Sequence, residues 1–322
     1  MGRRVFVVLA AVVVLAALAG TRVGATPQRS VLACRGCPRP AVIGPGQWQP
    51  TRGMRWQIQL QASAGHCATG GFSTSIAAPP YGGGADVSPS VFAIDLYADE
   101  GACPTYAPGT PNTDAVTAIH AGGGYAIAYI SAGSWEQWRP DAAAYVTYDK
   151  ACGGCLLGKT LGGYPDERYV NIHAGEPRRF LLHRMKVRMR RAVAAGFDGV
   201  YFDNQDEYHW ADTGFPITRH DQLMYLTRLL NQARFLGLAA GPNNDILQTV
   251  RFEPYADLQI NESCFRYSEC RFMRPMLDAA KPVFEIEYSK PLSDYCPAAN
   301  RRHFSTIKKV PSLYDLPWVS CR

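Results

Sequence analysis

Beyond residue 19 the chain has no apolar run long enough to cross a bilayer, which takes roughly 20 residues. It has no internal repeat and no low-complexity tract, so solenoids and fibrous arrays are excluded. There is no HExxH pair around His173, His183, His209 or the other histidines, and no Gly-x-Ser-x-Gly elbow. Those two gaps argue against zincin and serine-hydrolase chemistry. The glycines at Gly70-Gly71 and Gly82-Gly-Gly84 do not have phosphate-loop spacing and open no helix, so they read as loop. Asp203-Asn-Gln-Asp206 lacks the regularly spaced oxygen ligands of a calcium loop, and no metal is expected.

The N-terminus carries Arg3 and Arg4, an apolar run from Val5 to Ala19, and small residues up to Ala25. This is the pattern of a signal peptide cut near residue 25, with an uncleaved anchor as the alternative. Residues 1–25 are therefore read as leader, 26–54 as a Pro-, Gly- and Arg-rich extension, and 55–322 as one catalytic domain. Removing the leader takes away Arg3, Arg4 and Arg22 and no acid, so the formal charge drops from +6 to +3. Such a balance calls for neither nucleic acid nor a membrane surface, and a secreted monomer is expected. All ten cysteines lie beyond the cut. In an exported chain they read as disulfides, the CxxC motifs Cys34-Arg-Gly-Cys37 and Cys152-Gly-Gly-Cys155 as structural disulfides rather than zinc ligands and Cys264 with Cys270 as a local pair, with the full connectivity left open. The seven Lys and Arg residues from Arg178 to Arg191 read as the solvated outer face of a helix.

Short apolar runs alternate with longer mixed segments. Strands are expected at Trp56–Leu60, Val91–Leu96, Ala126–Ser131, Gly199–Asp203, Leu238–Gly241, Leu258–Asn261, Val283–Tyr288 and Phe304–Val310. Helices are expected at Thr113–Ala121, Pro177–Ala195, Thr218–Phe235 and Glu269–Ala280, the second stopped by Gly196. Eight strands alternating with helices imply parallel pairing and closure as a (β/α)8 barrel. The first crossover, residues 61–90, is too rich in Gly and Pro for a helix.

In such a barrel the chemistry sits where the strands end. Those ends deliver Asp95, Glu136 beyond Ser131, Asp203, Asn204, Asp206, Asn243, Asn244, Asp245, Asn261, Glu262, Glu287 and Tyr288 to one rim. Glycoside hydrolysis needs two carboxyl groups about the scissile bond, one as acid and one as nucleophile or base. Asp203 and Glu262 end apolar strands and are the strongest candidates. Asp95, Glu136, Asn204, Asp206, Asn244, Asn261 and Glu287 are read as binding sugar, with Tyr208, Tyr267 and Tyr288 beside them. Trp135, Trp138, Trp210 and Phe265 are further stacking candidates. Glu207 reads as a solvated neighbour, and Glu285 as lying deeper on the same strand face as Glu287.

The motifs that specify more are Trp56-Gln-Ile-Gln-Leu60, Tyr129-Ile-Ser-Ala-Gly-Ser-Trp-Glu136 with Trp138-Arg-Pro-Asp141, and Gly196-Phe-Asp-Gly-Val200 running into Asp203-Asn-Gln-Asp206. Gly214-Phe-Pro216, Asn261-Glu-Ser-Cys264-Phe-Arg-Tyr-Ser-Glu-Cys270 and Lys281-Pro-Val-Phe-Glu-Ile-Glu-Tyr288 follow in order. As a set they resemble glycoside hydrolase family 114 over roughly residues 48–290. The resemblance implies a secreted, endo-acting α-1,4-polygalactosaminidase that uses no cofactor, with Asp203 as nucleophile and Glu262 as acid/base. It departs from the family at Gly241-Pro-Asn-Asn244, where the family commonly has Gly-Leu-Lys-Asn, which bears on substrate preference. Deacetylated galactosamine polymers are polycations, and a rim of Asp95, Glu136, Asp203, Asp206, Glu262 and Glu287 would attract them whatever the net charge. The competing readings are a barrel that binds amino sugars without cleaving them, and a glycosidase acting on another galactose-type polymer.

Overall fold

The computed structural model describes residues 34–173 and 175–322. The expected leader and its cut site lie outside the described residues. Among the described residues there are twelve strands: β1 Trp56–Gln59, β2 Val91–Asp95, β3 Tyr125–Ser131, β4 Ser134–Glu136, β5 Leu157–Leu161 and β6 Tyr164–Val170, then β7 Gly199–Asp203, β8 Ala239–Pro242, β9 Gln259–Glu262, β10 Val283–Glu287, β11 Ser305–Lys308 and β12 Val319–Ser320.

Eight of these build the (β/α)8 barrel, and each falls on a segment expected from the sequence. Strands β1, β2, β3, β7 and β8 pair in parallel in that order, and β9, β10 and β11 continue in parallel. A parallel bridge from Asn243 to Ile260 joins β8 to β9. On the other side the Trp56 indole donates to the Ser305 carbonyl at 2.8 Å, tying β1 to β11. These strands are apolar on both faces because side chains fill the barrel inside and helices cover it outside. Val200, Phe202, Ile260 and Phe284 are all buried, and β2, β7, β9 and β10 each end in an acid.

The helices cover the barrel as expected, with local differences. Thr113–Ala121 forms as read, and Arg219–Phe235 starts from a capping box in which Thr218 and Asp221 serve each other. Gly196 ends Glu176–Ala195 at φ 88°, the left-handed cap expected of it. The segment read as one helix over 269–280 instead splits into a tight turn, Cys270–Met273, and a short helix, Arg274–Asp278. Pro275 can start that second piece but cannot continue the first. The 61–90 crossover holds only a short 3-10 turn, Ala64–Thr69.

The Arg178–Arg191 run is not the fully solvated face read from the sequence. Arg178 and Arg188 are buried, each neutralised by an acid. Arg178 meets Asp221 at 2.7 Å, and Arg188 meets Asp141 at 2.8 Å. A one-sequence reading sees a cationic run but not that two of its members face inward onto carboxylates.

Ten cysteines form five disulfides, including the local pairs 34–37, 152–155 and 264–270, with 67–103 and 296–321 completing the set. Residues 34–55 contain turns but no helix or strand. Their disulfide closes a local turn, and hydrogen bonds hold the segment to the barrel. Ala41 N donates to Asn231 and Gln47 donates to the Leu238 carbonyl, while the Trp48 ring stacks on Tyr125 with 4.7 Å between centroids. No helix among the described residues is long and apolar enough to cross a membrane.

Candidate active site

The C-terminal ends of the barrel strands surround a cavity of about 840 Å³. Asp203 from β7 and Glu262 from β9 both line it. Between them stands Asn243, one residue past β8. Its amide nitrogen donates to Asp203 Oδ1 at 2.7 Å and to Glu262 Oε1 at 2.9 Å. Two contacts of those lengths to one nitrogen keep the two oxygens within about 5.6 Å of each other.

The backbone turns sharply just beyond each of these residues. Asn204, Asn244 and Ser263 follow Asp203, Asn243 and Glu262, and all three have φ between 55° and 63°. Non-glycine residues rarely adopt this conformation, and it clusters at functional sites. Gly133 makes the turn after β7 fit: a Cβ there would lie 1.7 Å from the Asn204 carbonyl oxygen.

Three donors serve Asp203: Asn243, the backbone N–H of Asn204 at 2.8 Å and the Tyr129 hydroxyl at 3.1 Å. Burial and then the neighbouring Glu262 charge raise its pKa above the ordinary aspartate value, while these donors oppose the rise. Glu262 Oε2 accepts from the Tyr288 hydroxyl at 2.7 Å. Burial and that same carboxylate push the Tyr288 phenol far up, so it stays protonated and donates.

Of the other residues read as binding sugar, Asp95, Glu136, Asn204, Asp206, Asn244 and Tyr288 line the cavity. Four do not. Asn261 is buried with its side-chain amide 2.9 Å from that of Asn244, because it faces the strand interior rather than the rim. Glu287 is fully buried and accepts the backbone N–H groups of Phe265 and Arg266 at 2.7 and 3.1 Å, fixing the loop after Glu262. Tyr208 turns to the Asp245 carboxylate at 2.9 Å. Tyr267 is exposed and carries the Arg266 guanidinium over its ring. The Trp210 side chain lies outside what the structure describes.

The acidic rim also differs from the expectation. Arg139 clamps Glu136 with two hydrogen bonds at 2.6 and 2.7 Å and meets Asp95 at 2.7 Å, and Arg188 lies 3.8 Å from Glu136, so both acids are engaged by cations within the protein. The negative field facing the cavity therefore comes from Asp203, Glu262, Asp206 and a residue missed in the sequence, Glu167. Glu207 is not a solvated neighbour: it is buried, one of its oxygens has no partner, and burial pushes its carboxyl well up. The helix Glu207–Trp210 turns it inward, which strand-like alternation past Asp203 does not anticipate. Glu285 lies deeper than Glu287, as read, and accepts Cys264 N at 2.9 Å; burial and then Glu287 hold its carboxyl well above the usual range.

Glu167 belongs to a small sheet that the sequence reading did not find. Strands β4, β6 and β5 pair antiparallel between β3 and the helix Glu176–Ala195. The sheet supplies Glu136, Leu161, Tyr164 and Glu167 to the cavity wall. Its signal was the two-glycine turn Gly162-Gly163 between two short runs, a hairpin signature. Arg139 was also missed as a site residue, although it stands inside a motif that carried the resemblance, and Asn243, read as a rim residue and as the departure from the family, was not assigned the bridging role it has. Among the described residues, no group of three or more His, Cys, Asp or Glu is arranged to hold a metal ion.

A family model described as glycoside-hydrolase family GH114 matches residues 38–322. The chain belongs to that family. This GH114 protein is similar to the crystal structure of Aspergillus fumigatus Ega3 in complex with galactosamine, at 26% identity and TM-score 0.65, covering 85% of this chain and 97% of that one. The glycoside hydrolase domain of PelA from Pseudomonas aeruginosa shares the fold at 15% identity and TM-score 0.53, covering 83% of this chain and 98% of that one. A comparison with curated protein sequences yields no match. The GH114 assignment makes the chain a glycoside hydrolase.

Proposed function

We propose that this GH114 enzyme is secreted and cleaves α-1,4-linked galactosamine polymers internally, with retention of configuration. Asp203 attacks the anomeric carbon while Glu262 protonates the leaving glycosidic oxygen. Glu262, now ionised, then takes a proton from the water that hydrolyses the glycosyl-enzyme. The observation that carries the reading is the shared Asn243 donor. An oxygen separation of at most about 5.6 Å suits retention, whereas inverting enzymes leave roughly 6.5–9.5 Å for a water.

The roles follow from the donors. Asp203 accepts from three donors, which favour its ionised form and suit it to the nucleophile's role, while Glu262 is placed to serve the leaving oxygen. The galactosamine substrate is supported by the relative bound to that sugar and by the acids Asp203, Glu262, Asp206 and Glu167 that line the cavity. The leader pattern and the five disulfides support secretion.

The test is incubation of purified protein with α-1,4-galactosamine oligomers, with products read by mass spectrometry and the nascent anomer by proton NMR. Shortened oligomers with α-anomeric ends are expected, and Glu262→Gln should stop cleavage while keeping binding. Binding without cleavage by wild type would establish the non-catalytic reading instead, and β-anomeric products would overturn retention.

A further inference from the structure

Glu136 and Glu167 are direct partners across the antiparallel pair β4–β6, so their side chains leave the same face of the small sheet. Their electrostatic situations are opposite. Glu136 is held at both oxygens by Arg139, with the Arg188 guanidinium 3.8 Å away. Glu167 forms no ion pair among the described residues; burial and then the Glu136 charge push its carboxyl up to about 7, with Arg139 pulling weakly the other way. Its Oε2 accepts from Ser134 at 2.7 Å, and its other oxygen has no partner there. Yet the residue is only 6% exposed, and it lines the cavity. A carboxylate shut away from water without a cation costs free energy, and proteins seldom keep one without use for it.

Glu167 is also tied to the candidate nucleophile. Ser134, which donates to Glu167, accepts from the Asn204 amide at 3.1 Å, and Asn204 donates its backbone N–H to Asp203. Three hydrogen bonds, through Ser134 and Asn204, therefore link the Glu167 carboxylate to Asp203. Tyr164, three positions earlier on β6, lines the same cavity.

We propose that Glu167 binds the ammonium group of a galactosamine unit beside the scissile bond, and so selects deacetylated over N-acetylated chain. This rests on the galactosamine reading of the site. The sugar cation supplies the counter-charge that the protein withholds, in a place where a charge-assisted hydrogen bond is stronger than in water. An N-acetyl group in that position brings no charge and adds bulk against Ser134.

The experiment compares wild type, Glu167→Gln and Glu167→Asp on a fully deacetylated α-1,4-galactosamine pentamer and on an N-acetylated one. Glu167→Gln keeps the shape and the Ser134 contact and removes the charge. The ratio of kcat/KM for the deacetylated over the N-acetylated pentamer should fall roughly tenfold or more, with KM rising by more than kcat falls. Glu167→Asp should recover part of that ratio. An unchanged ratio, or equal losses on both pentamers, overturns the proposal. If wild type cleaves neither pentamer, the functional reading fails by itself, and calorimetry with the deacetylated pentamer decides about Glu167. Binding weakened about tenfold in Glu167→Gln upholds it, whereas equal affinity, or no binding by wild type, overturns it.

Discussion

Asn243 holds Asp203 and Glu262 on a single nitrogen, where the family commonly places a lysine. An amide offers hydrogen bonds without charge, so the two carboxylates keep their mutual repulsion, and Asp203 stays raised by burial and Glu262. In the proposed mechanism cleavage requires ionised Asp203, so activity should fall as pH drops through its raised pKa. The acid limb of kcat/KM should lie above the ordinary aspartate value. Asn243→Lys puts a cation between the pair and should move that limb to lower pH. Asn243→Ala should cut kcat about 10- to 100-fold with the fold intact by circular dichroism. A pH–rate profile for the lysine variant that superimposes on wild type would rule this account out.

Arg139 stabilises the wall that faces the site. It is buried, saturates Glu136, reaches Asp95, and lies 5.6 Å from the centroid of the Tyr129 ring. Arg139→Met fills the volume but leaves two acids, one of them fully buried, without their cation. Losing one partner of a buried ion pair costs about 3–5 kcal/mol, so urea unfolding should shift by that amount. A loss under about 1 kcal/mol would mean the acids find water or another cation.

Glu285 and Glu287 face into the barrel on one side of β10, and both are raised by burial, Glu285 also by the charge of Glu287. A carboxyl whose folded pKa lies above its unfolded value of about 4.5 holds a proton in the native state. Its stabilising contribution is therefore complete below that unfolded value and is lost as pH rises through the folded pKa. Glu285→Gln keeps a neutral group of the same shape and should remove that loss. Differential scanning calorimetry should show the variant gaining on wild type as pH is raised from about 5 to 8. A constant difference in Tm across that range would contradict it.

The barrel was legible because its strands are buried on both faces and end in polar residues; periodicity and the polar termini together located all eight. Asp203 and Glu262 stood out for the same reason, being acids at the ends of apolar runs. What escaped was set by contacts between distant segments. Arg139 looks like one more surface cation until Asp95 and Glu136 close around it. Arg188 looks solvated until Asp141 meets it. Glu287 and Asn261 occupy the correct strand ends but turn inward, since a strand end fixes position along the barrel and not which side chain reaches the cavity. Glu167 lies on strands too short and too polar for alternation to reveal, with Thr160, Asp166 and Arg168 among their residues.

Gly133 carries the last prediction. Its backbone N–H donates to the Asp203 carbonyl at 3.2 Å, and its Cα lies so near Asn204 that a methyl group would sit 1.7 Å from that residue's carbonyl oxygen. Asn204 is already in the left-handed region and holds Asp203 through its own N–H. Gly133→Ala must push this turn away, and with it the Asp203 carboxylate. Because the clash lies at the rim and not in the barrel interior, stability should drop by only about 1–3 kcal/mol. A misplacement near 1 Å can by itself cost about 100-fold in rate, so kcat should collapse in a protein that still melts cooperatively. Crystals of Gly133→Ala with Asp203 unmoved and full activity would show that the turn has slack that the close approach denies.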